Sequence, residues 1–305
     1  MFFKKIIYKI FKSKSEYSAL KIDIATENQL NFFKHTCEPE IKKIDQSIKD
    51  KKELNFLHSG HCGDLIYSLP VIKKLSNTHK CNFYLGVNKK LNEYYHKHPG
   101  EGFFINEKMA DLIFPLLKAQ KFINNVNRYN AESIDINLDF FRELPISLNF
   151  NSPRWYFHIT GQHLDLKEPY LHVEDHQKLK KQIVILRSFR YRNHFINYKF
   201  LNNYNDDLIF IGLKDEYDDL KKQVIKLKHY DPKDFLEMAK IIKSSRFFLG
   251  NQCLGFAIAE GLKIPRLLEQ CPMFPVVQPV GNEAYDFYFQ AHFEKWFEYL
   301  YRKFN

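Results

Sequence analysis

Residues 58–70 read HSGHCGDLIYSLP, a glycine-rich turn that follows a short apolar run at 54–57. From Leu65 onward, apolar residues recur at helical spacing, as at Leu69 and Ile72. A strand that breaks at glycines and restarts as a helix leaves the first N–H groups of that helix free for an anion. Asp64 falls where the N-cap of this helix is expected, so its carboxylate either caps the helix or faces a substrate.

The composition indicates a soluble globular protein with an anionic partner. A chain of 305 residues, 45% of them hydrophobic, is long enough for two ordinary domains. The net charge of +10 leaves phosphorylated small molecules, anionic lipid and nucleic acid open. Because no strand carries an RNA-binding signature, we expect no nucleic-acid partner and assign the many aromatic residues to core packing. Five cysteines without a C-x-x-C pair favour reduced thiols in a cytoplasmic protein.

Strand and helix patterns alternate along the rest of the chain. The first series has strands at 54–57, 81–87, 122–126 and 134–140 and helices after 64, at 107–119 and near 155. The second series has strands at 182–186, 208–212, 246–250 and 264–268 and helices from 215, at 232–244 and at 254–262. Such alternation is typical of parallel βαβ units. We therefore predict an α/β protein with two Rossmann-like, doubly wound domains that face each other across a cleft.

Residues 1–14, MFFKKIIYKIFKSK, have apolar residues at helical spacing with lysines between them. This pattern predicts a short basic amphipathic helix that lies on an anionic membrane surface. The alternative is a helix docked on its own domain. The segment lacks the uninterrupted apolar core and the cleavage site of a signal peptide. The membrane interpretation predicts that this cytoplasmic protein lies peripherally at the inner face of the membrane.

Two segments of the second series have the character of anion sites. Arg187, Arg190 and Arg192 directly follow a predicted strand, and their planar guanidiniums suit a diphosphate. A solvated basic loop is the alternative. The stretch 249–261 is another strand, glycine turn and helix, whose first N–H groups suit an anion. Ordinary packing of the helix on the sheet is the alternative here, because the glycine spacing is not that of a dinucleotide fingerprint.

Metal and thiol chemistry are less well supported. His58, His61 and Cys62 could suggest metal ligands, but no second pair stands at a known spacing. In the segment 135–139, polar and apolar residues alternate as they would in a strand. Three polar side chains would then share one face, where they could imitate metal-binding carboxylates. We expect no metal site, and no nucleophilic role for Cys62, since the neighbouring Asp64 would oppose a thiolate.

Three of these stretches together resemble the heptosyltransferases, family nine of the GT-B glycosyltransferases. The family's first motif is Gly-Asp followed by an apolar residue and Leu-Pro, which is matched by Gly63, Asp64, Leu65, Leu69 and Pro70. The segments 185–192, 210–216 and 235–265 match the family's later motifs in order and spacing, so the resemblance covers about 55–270. One turn departs from the pattern. Where the family has Asp-Thr/Ser-Gly, this chain has Asn251, Gln252, Cys253 and Leu254, with Gln252 aligned to the Asp, and Ala257 replaces a histidine.

The resemblance implies an inverting glycosyltransferase, of the hexosyl or heptosyl type, in the synthesis of surface glycan or lipopolysaccharide. The donor would be a nucleotide-diphosphate sugar, the acceptor a glycan or a lipid-linked hydroxyl, and no metal cofactor is expected. Asp64 would be the catalytic base. The acceptor or phosphate loop would consist of His58, Ser59, Gly60, His61 and Gly63. The donor would contact Arg187, Arg190 or Arg192, together with Glu216, Asn251, Gln252, Cys253 and Gly255.

The same resemblance gives the expected domain division. Residues 1–50 form the amphipathic helix and a lead-in, and 51–178 the N-terminal, acceptor-side domain. Residues 179–283 form the C-terminal, donor-nucleotide domain, and 284–305 a helix that packs back towards the first domain. Two alternatives to the enzyme remain: an inactive nucleotide-sugar-binding protein on the same fold, motivated by the altered turn, and a basic protein that binds membranes or nucleic acid.

Overall fold

A computed structural model describes residues 2–91 and 98–304. The chain begins with a helical arm of α1 (Phe2–Phe11), α2 (Lys14–Phe32) and α3 (Glu38–Asp50), the last two joined by a π-helical turn at Phe33–Cys37. Ser13 separates α1 from α2 because its hydroxyl accepts from Glu16 N while the Glu16 carboxylate accepts from Ser13 N. This reciprocal capping box fixes the start of α2. The arm rejoins the first domain through Ile44, which is fully buried.

The first domain is a parallel sheet in the order β3-β2-β1-β4. Its strands are β1 (Glu53–His58), β2 (Lys80–Leu85), β3 (Asn125–Arg128) and β4 (Ile136–Asn137). Its helices are α4 (Cys62–Leu75), α5 (Glu107–Lys118) and α6 (Pro153–Thr160). The strand predicted at 134–140 is wrong beyond Asn137, whose side chain accepts from Asp139 N and opens a 3₁₀ turn at Leu138–Glu143. This turn brings Asp139 and Arg142 to the carboxyl end of β1.

The second domain is a parallel sheet in the order β10-β9-β8-β5-β6-β7. Its strands are β5 (Ile183–Leu186), β6 (Leu208–Ile211), β7 (Lys228–Tyr230), β8 (Phe247–Asn251), β9 (Arg266–Glu269) and β10 (Ala284–Phe287). Its helices are α7 (Lys214–Lys221), α8 (Phe235–Lys243), α9 (Leu254–Leu262) and α10 (Gln290–Lys303), and a 3₁₀ segment spans Lys199–Asp207. The central strands are apolar throughout because helices cover both faces of the sheet.

The C-terminal segment differs from the prediction in two ways. Its first residues form β10, which pairs with β9, so the helix begins only at Gln290. The helix then packs on the second sheet: the Phe293 ring stacks on Phe287 at 4.3 Å between centroids, and Phe297 and Leu300 are buried in the same cluster. The prediction that this helix packs back towards the first domain is therefore wrong. Its apolar face packs against aromatic residues of its own domain.

The two domains meet along α4 and α9 and along α5 and α8. Their apolar residues form one continuous core, in which Leu65 and Ile66 of α4 belong to the same cluster as Phe256 and Ala257 of α9. The predicted architecture of two Rossmann-like domains is confirmed, and both glycine turns lie at the contact between them. Within the described ranges, no helix combines the length and the apolar character that crossing a bilayer requires.

Candidate active site

Asp64 lies in the first turn of α4 and is not its cap. The helix begins at Cys62, so the N-cap is His61, whose side chain makes no capping hydrogen bond. The Oδ2 atom of Asp64 instead accepts from Arg142 Nη2 at 2.7 Å. The expectation that Asp64 occupies the N-cap is therefore wrong, although the helix dipole still favours a carboxylate at this position.

Arg142 bridges two carboxylates of the first domain. While Nη2 binds Asp64, Nη1 donates to Asp139 Oδ1 at 2.7 Å. Asp139 also accepts from Ser59 N at 3.0 Å and lies 3.2 Å from the ammonium of Lys89. Burial alone would raise the pKa of Asp139, but the neighbouring His58 and the charges of Arg142 and Lys89 hold that pKa well below its usual range. Asp139 therefore stays ionised and fixes Arg142 against Asp64.

His58 and Tyr156 hold the glycine turn before α4 from the interior of the protein. His58 is fully buried, with Nε2 at 2.8 Å from the Tyr156 hydroxyl and Nδ1 at 3.0 Å from Gly60 N. The Tyr156 hydroxyl donates in turn to the backbone oxygen of Asp64 at 3.0 Å. Since both ring nitrogens of His58 are engaged within the protein, this histidine positions the turn and does not contact a substrate. Ser59 is likewise buried, with its amide bound to Asp139.

Gly60 lies where no side chain fits. A Cβ atom at this position would stand 2.3 Å from Arg142 Nη2, 2.7 Å from His58 Cε1 and 3.0 Å from Asp64 Oδ2. The Asp64–Arg142 pair thus requires glycine at this position. Gly63, the glycine of the family motif, differs, because its Cβ would meet only the Cβ of Ala257, at 3.9 Å.

We expect Gly60→Ala to displace the Asp64–Arg142 pair and to lower the free energy of unfolding by about 1–3 kcal/mol, the usual cost of overpacking. Gly63→Ala is the matched control. It adds the same methyl group in ordinary contact distance and gives α4 a better helix former, so it should leave stability within about 1 kcal/mol of wild type. Urea denaturation of the two variants provides the comparison. Equal stability of the two would contradict the steric role of Gly60.

His61 lies between the two domains. Burial and the charges of Arg190, His98 and Arg142 lower its pKa to about 3, against an opposing effect of Asp64. Its ring is 4.9 Å from both the His98 and the Phe104 rings. His61 is therefore neutral at neutral pH and forms part of an aromatic wall. Arg190 belongs to the second domain, so its charge acts on His61 from the opposite side of the cleft.

The sequence does not distinguish which of the three arginines contacts the diphosphate. In the structure, Arg187 stabilises the fold. Its Nε and Nη2 atoms donate to the two carboxylate oxygens of Glu269 at 2.7 and 2.9 Å, and both residues are buried. Tyr198 OH and Asn193 N bind the same carboxylate at 2.7 and 2.6 Å. This closed network leaves the Arg187 guanidinium no surface for a diphosphate, so the proposed donor contact of Arg187 is wrong.

Arg192 is also engaged within its own domain. Its Nε atom donates to Ser188 O at 2.8 Å, Nη1 to Asp219 at 2.5 Å and Nη2 to Arg187 O at 3.2 Å. Arg190 differs, because its guanidinium contacts the Tyr191 hydroxyl at 3.0 Å and its charge reaches His61 and His98 of the first domain. Arg190 is therefore the arginine of this loop that faces the cleft.

The turn at 251–255 holds this loop in place. Asn251 is fully buried; its Oδ1 accepts from Ser188 N at 2.9 Å, and its Nδ2 donates to the backbone oxygens of Ser188 and Arg190. Gln252 donates to Phe274 O at 2.7 Å. The Asn251 side chain thus holds the arginine loop in place, and its contact with the donor stays a prediction.

The N-terminus of α9 lies beside that of α4. Cys253 is its N-cap and makes no side-chain capping hydrogen bond. Gly255 permits close packing, since a Cβ there would stand 2.8 Å from Leu186 Cδ1. The contact of Gly63 with Ala257 places the first turns of α4 and α9 side by side. Burial raises the pKa of the Cys62 and Cys253 thiols to about 12, which rules out a thiolate nucleophile.

Glu216 supports the arginine loop from α7. Its Oε1 accepts from Phe189 N at 3.1 Å, and burial raises its pKa to about 7. The folded protein therefore retains a proton that the unfolded chain loses above the ordinary glutamate pKa of 4.5. This group contributes stability that is fully present below about pH 4.5 and is lost as the pH rises through about 7.

Glu216→Gln should flatten this dependence. Relative to the variant, wild type is expected to lose roughly 2–3 kcal/mol of unfolding free energy between pH 4.5 and pH 8, as the carboxylate ionises in a buried site. Asp218→Asn, at an exposed carboxylate of the same helix, is the control and should follow wild type. Denaturation at the two pH values tests this. Parallel curves for wild type and Glu216→Gln would contradict it.

No local sequence pattern indicates Arg142, Asp139 or Tyr156 as members of the site. The alternation at 135–139 indicates Asp139 only as one of three polar residues on one face of a strand, and the 3₁₀ turn removes that face. Asp135 instead pairs with Lys51 and accepts from Asn55 N at 2.8 Å. No cluster of three or more metal-ligating side chains occurs within residues 2–91 and 98–304, and independence from metal stays a prediction.

Comparison with known proteins places this fold among the glycosyltransferases. No protein-family model and no curated protein matches the chain. The family 9 glycosyl transferase of Veillonella parvula superposes with a TM-score of 0.53 at 10% identity, over 83% of this chain and 90% of that one. The E. coli heptosyltransferase WaaC with ADP gives a TM-score of 0.49 at 8% identity, over 83% and 98% of the two chains. E. coli ADP-heptose heptosyltransferase II gives 0.46 at 10% identity, over 82% and 99%.

At such low identity the Veillonella structure shows the fold alone. The similarity extends over both domains of this chain, in agreement with the range of the three sequence motifs. The chain therefore has the GT-B-like fold of a family 9 glycosyltransferase, as the resemblance to the heptosyltransferases predicted.

Proposed function

We propose that this protein is a glycosyltransferase that moves a sugar from a nucleotide-diphosphate sugar to a hydroxyl acceptor, with inversion at the anomeric carbon. One observation carries the proposal: a carboxylate, Asp64, and a guanidinium, Arg190, act on the same His61 from opposite domains, where two helix N-termini meet. A base and a cluster of anion-binding groups at one cleft are what this reaction requires.

The donor would lie on the side of the second domain. Breaking the bond between the sugar and the diphosphate leaves negative charge on the leaving group. Arg190 and the first N–H groups of α9 would stabilise that charge. Asn251 and Glu216 would act indirectly, by holding the backbone of the arginine loop.

The acceptor would lie on the side of the first domain, at Asp64. While Oδ2 of Asp64 is bound to Arg142, Oδ1 makes no hydrogen bond to any residue in the described part of the chain. That oxygen would take the acceptor proton as the acceptor oxygen attacks the anomeric carbon opposite the leaving diphosphate. Arg142, fixed by Asp139, keeps the carboxylate oriented. Positive charge comes from Arg190 and the helix N-termini, so the mechanism invokes no metal cofactor.

The physiological reaction that we infer is hexosyl or heptosyl transfer in the synthesis of a surface glycan or of lipopolysaccharide, with a glycan or lipid-linked acceptor. The three ordered motifs and the GT-B-like fold support this inference. A non-catalytic nucleotide-sugar-binding protein is the second candidate, and the altered turn at 251–253 favours it, since Asn251 supports the loop.

A panel of ADP-, GDP-, UDP- and dTDP-sugars distinguishes the two. We expect at least one donor to raise the thermal unfolding midpoint and to release its nucleoside diphosphate when hydroxyl acceptors are added. Stabilisation without release by any acceptor tested would favour the binding protein. A panel in which no nucleotide sugar raises the midpoint would contradict both candidates.

A further inference from the structure

Helix α1 exposes its apolar residues to solvent. The exposed fractions are 79% for Phe3, 39% for Ile6, 53% for Ile7 and 65% for Ile10. At about 100° per residue these four positions fall on one side of the helix, so the exposed residues form a single apolar face. The side chains of Phe2, Lys4, Lys5 and Phe11, which belong to the predicted amphipathic pattern, lie outside the described ones. The alternative that this helix docks on its own domain through its apolar face is not what the structure shows.

The opposite side of α1 is basic. By helical spacing, Lys9 projects away from the apolar face, and lysines but no acidic residue precede Glu16 in the sequence. Lys9 is exposed, and Lys12 lies 3.4 Å from Glu16. An apolar face backed by lysines is the arrangement by which a helix lies in a membrane interface, with its cations directed to the lipid headgroups.

The change of backbone direction after α1 is compatible with such a contact. The extended backbone of Ser13, with φ −62° and ψ 158°, ends α1 and lets it take a direction different from that of α2. A helix of 10 residues is about 15 Å long, roughly half the thickness of the hydrocarbon core. Such a helix lies in the plane of the interface and does not cross the bilayer.

The positive charge of the protein favours a membrane over a second copy of the chain as the partner of this apolar face. A second copy would bring two lysine-rich helices together in a protein whose net charge is already +10. An anionic bilayer offers hydrocarbon to the isoleucines and phosphate groups to the lysines. We propose that α1 is a membrane anchor that docks this protein on anionic lipid through Phe3, Ile6, Ile7 and Ile10. The proposal is independent of the glycosyltransferase reaction, although it would bring the enzyme to a lipid-linked acceptor.

Co-sedimentation of the full-length protein with vesicles tests the anchor. The vesicles are phosphatidylcholine alone or phosphatidylcholine with 30% phosphatidylglycerol. We expect binding to the anionic vesicles that weakens on raising the salt, and a partition coefficient lower by about tenfold in Ile10→Glu. Ile225→Glu is the matched control, since Ile225 is 72% exposed in a loop of the second domain, and it should bind like wild type.

A charge-reversal pair separates the helix from the overall charge. Lys9→Glu and Lys226→Glu change two exposed lysines and alter the net charge equally. Only Lys9→Glu should weaken binding, by about fivefold or more. Failure of wild type to bind anionic vesicles, or equal binding by Ile10→Glu and Ile225→Glu, would overturn the proposal. Self-association in sedimentation velocity that Ile10→Glu abolishes, with no vesicle binding, would overturn it in favour of a second copy. Thermal unfolding of each variant, expected to match wild type, confirms that the fold is intact.

Discussion

Asp64→Asn is expected to lower the rate of sugar transfer by about 10²–10⁴-fold, the usual contribution of a general base, while donor affinity stays within about twofold of wild type. The substitution preserves the size of the side chain, and its amide oxygen can still accept from Arg142. It removes the ability to take up the acceptor proton. Because the donor contacts that we propose lie in the second domain, binding of the nucleotide sugar should not depend on this group.

Single-turnover transfer at saturating donor measures this effect on the chemical step. Asp111→Asn is the control, because Asp111 also pairs with an arginine of the first domain, Arg128, at 2.7 Å, on the exposed face of α5. It should transfer sugar at the wild-type rate. Transfer by Asp64→Asn at a rate near that of Asp111→Asn would show that Asp64 is not the base.

Arg187→Gln is expected to lower the free energy of unfolding by about 3–5 kcal/mol, since removing one partner of a buried ion pair leaves the other charge uncompensated. Glu269, its partner, is fully buried and receives both guanidinium hydrogen bonds. Tyr198 and Asn193 would still bind this carboxylate, but neither supplies a positive charge. The same arginine loop therefore contains one residue that stabilises the domain and another, Arg190, that faces the cleft.

Denaturant titration at neutral pH provides the measurement. Arg128→Gln is the control: Arg128 binds Glu107 and Asp111 at 2.9 and 2.7 Å, but its side chain is 44% exposed. Exposed pairs of this kind contribute about 0–1 kcal/mol. A loss in Arg187→Gln no larger than that in Arg128→Gln would contradict the structural role of the buried pair.

Features that depend on neighbouring residues were predictable from the sequence. The glycine turn at 58–64, the start of α4 close behind it and the fully apolar β5 follow from local pattern, because hydrophobic periodicity and turn residues report local structure directly. The alternation of these elements was sufficient to predict two parallel α/β domains. The order of the three motifs extended this to the GT-B-like class.

Features that depend on distant partners were not predictable. Arg187, Arg190 and Arg192 look alike in sequence, and their roles are assigned by Glu269 and Asp219, which lie on other elements. Arg142 reaches Asp64 only because a 3₁₀ turn replaces the end of a predicted strand.

The altered turn at 251–253 can be understood in the same way. In the family pattern an acidic turn precedes the small-residue helix, and its loss raised the question whether the donor site survives. Gln252, which aligns with the acidic residue, donates to Phe274 O, and the neighbouring Asn251 binds the backbone of the arginine loop, so both side chains support the turn. Whether the first N–H groups of α9 and Arg190 suffice to hold a nucleotide diphosphate is a question of affinity.

Calorimetric titration of nucleotide sugars into wild type, Arg190→Gln and Arg154→Gln answers that question. Arg154 is an exposed arginine on α6, and its replacement changes the net charge equally. We predict that at least one nucleotide sugar binds wild type and Arg154→Gln alike and binds Arg190→Gln about tenfold or more weakly, through loss of a charge-assisted contact to the diphosphate. Equal affinity of Arg190→Gln and wild type would contradict a donor site at the cleft between α4 and α9.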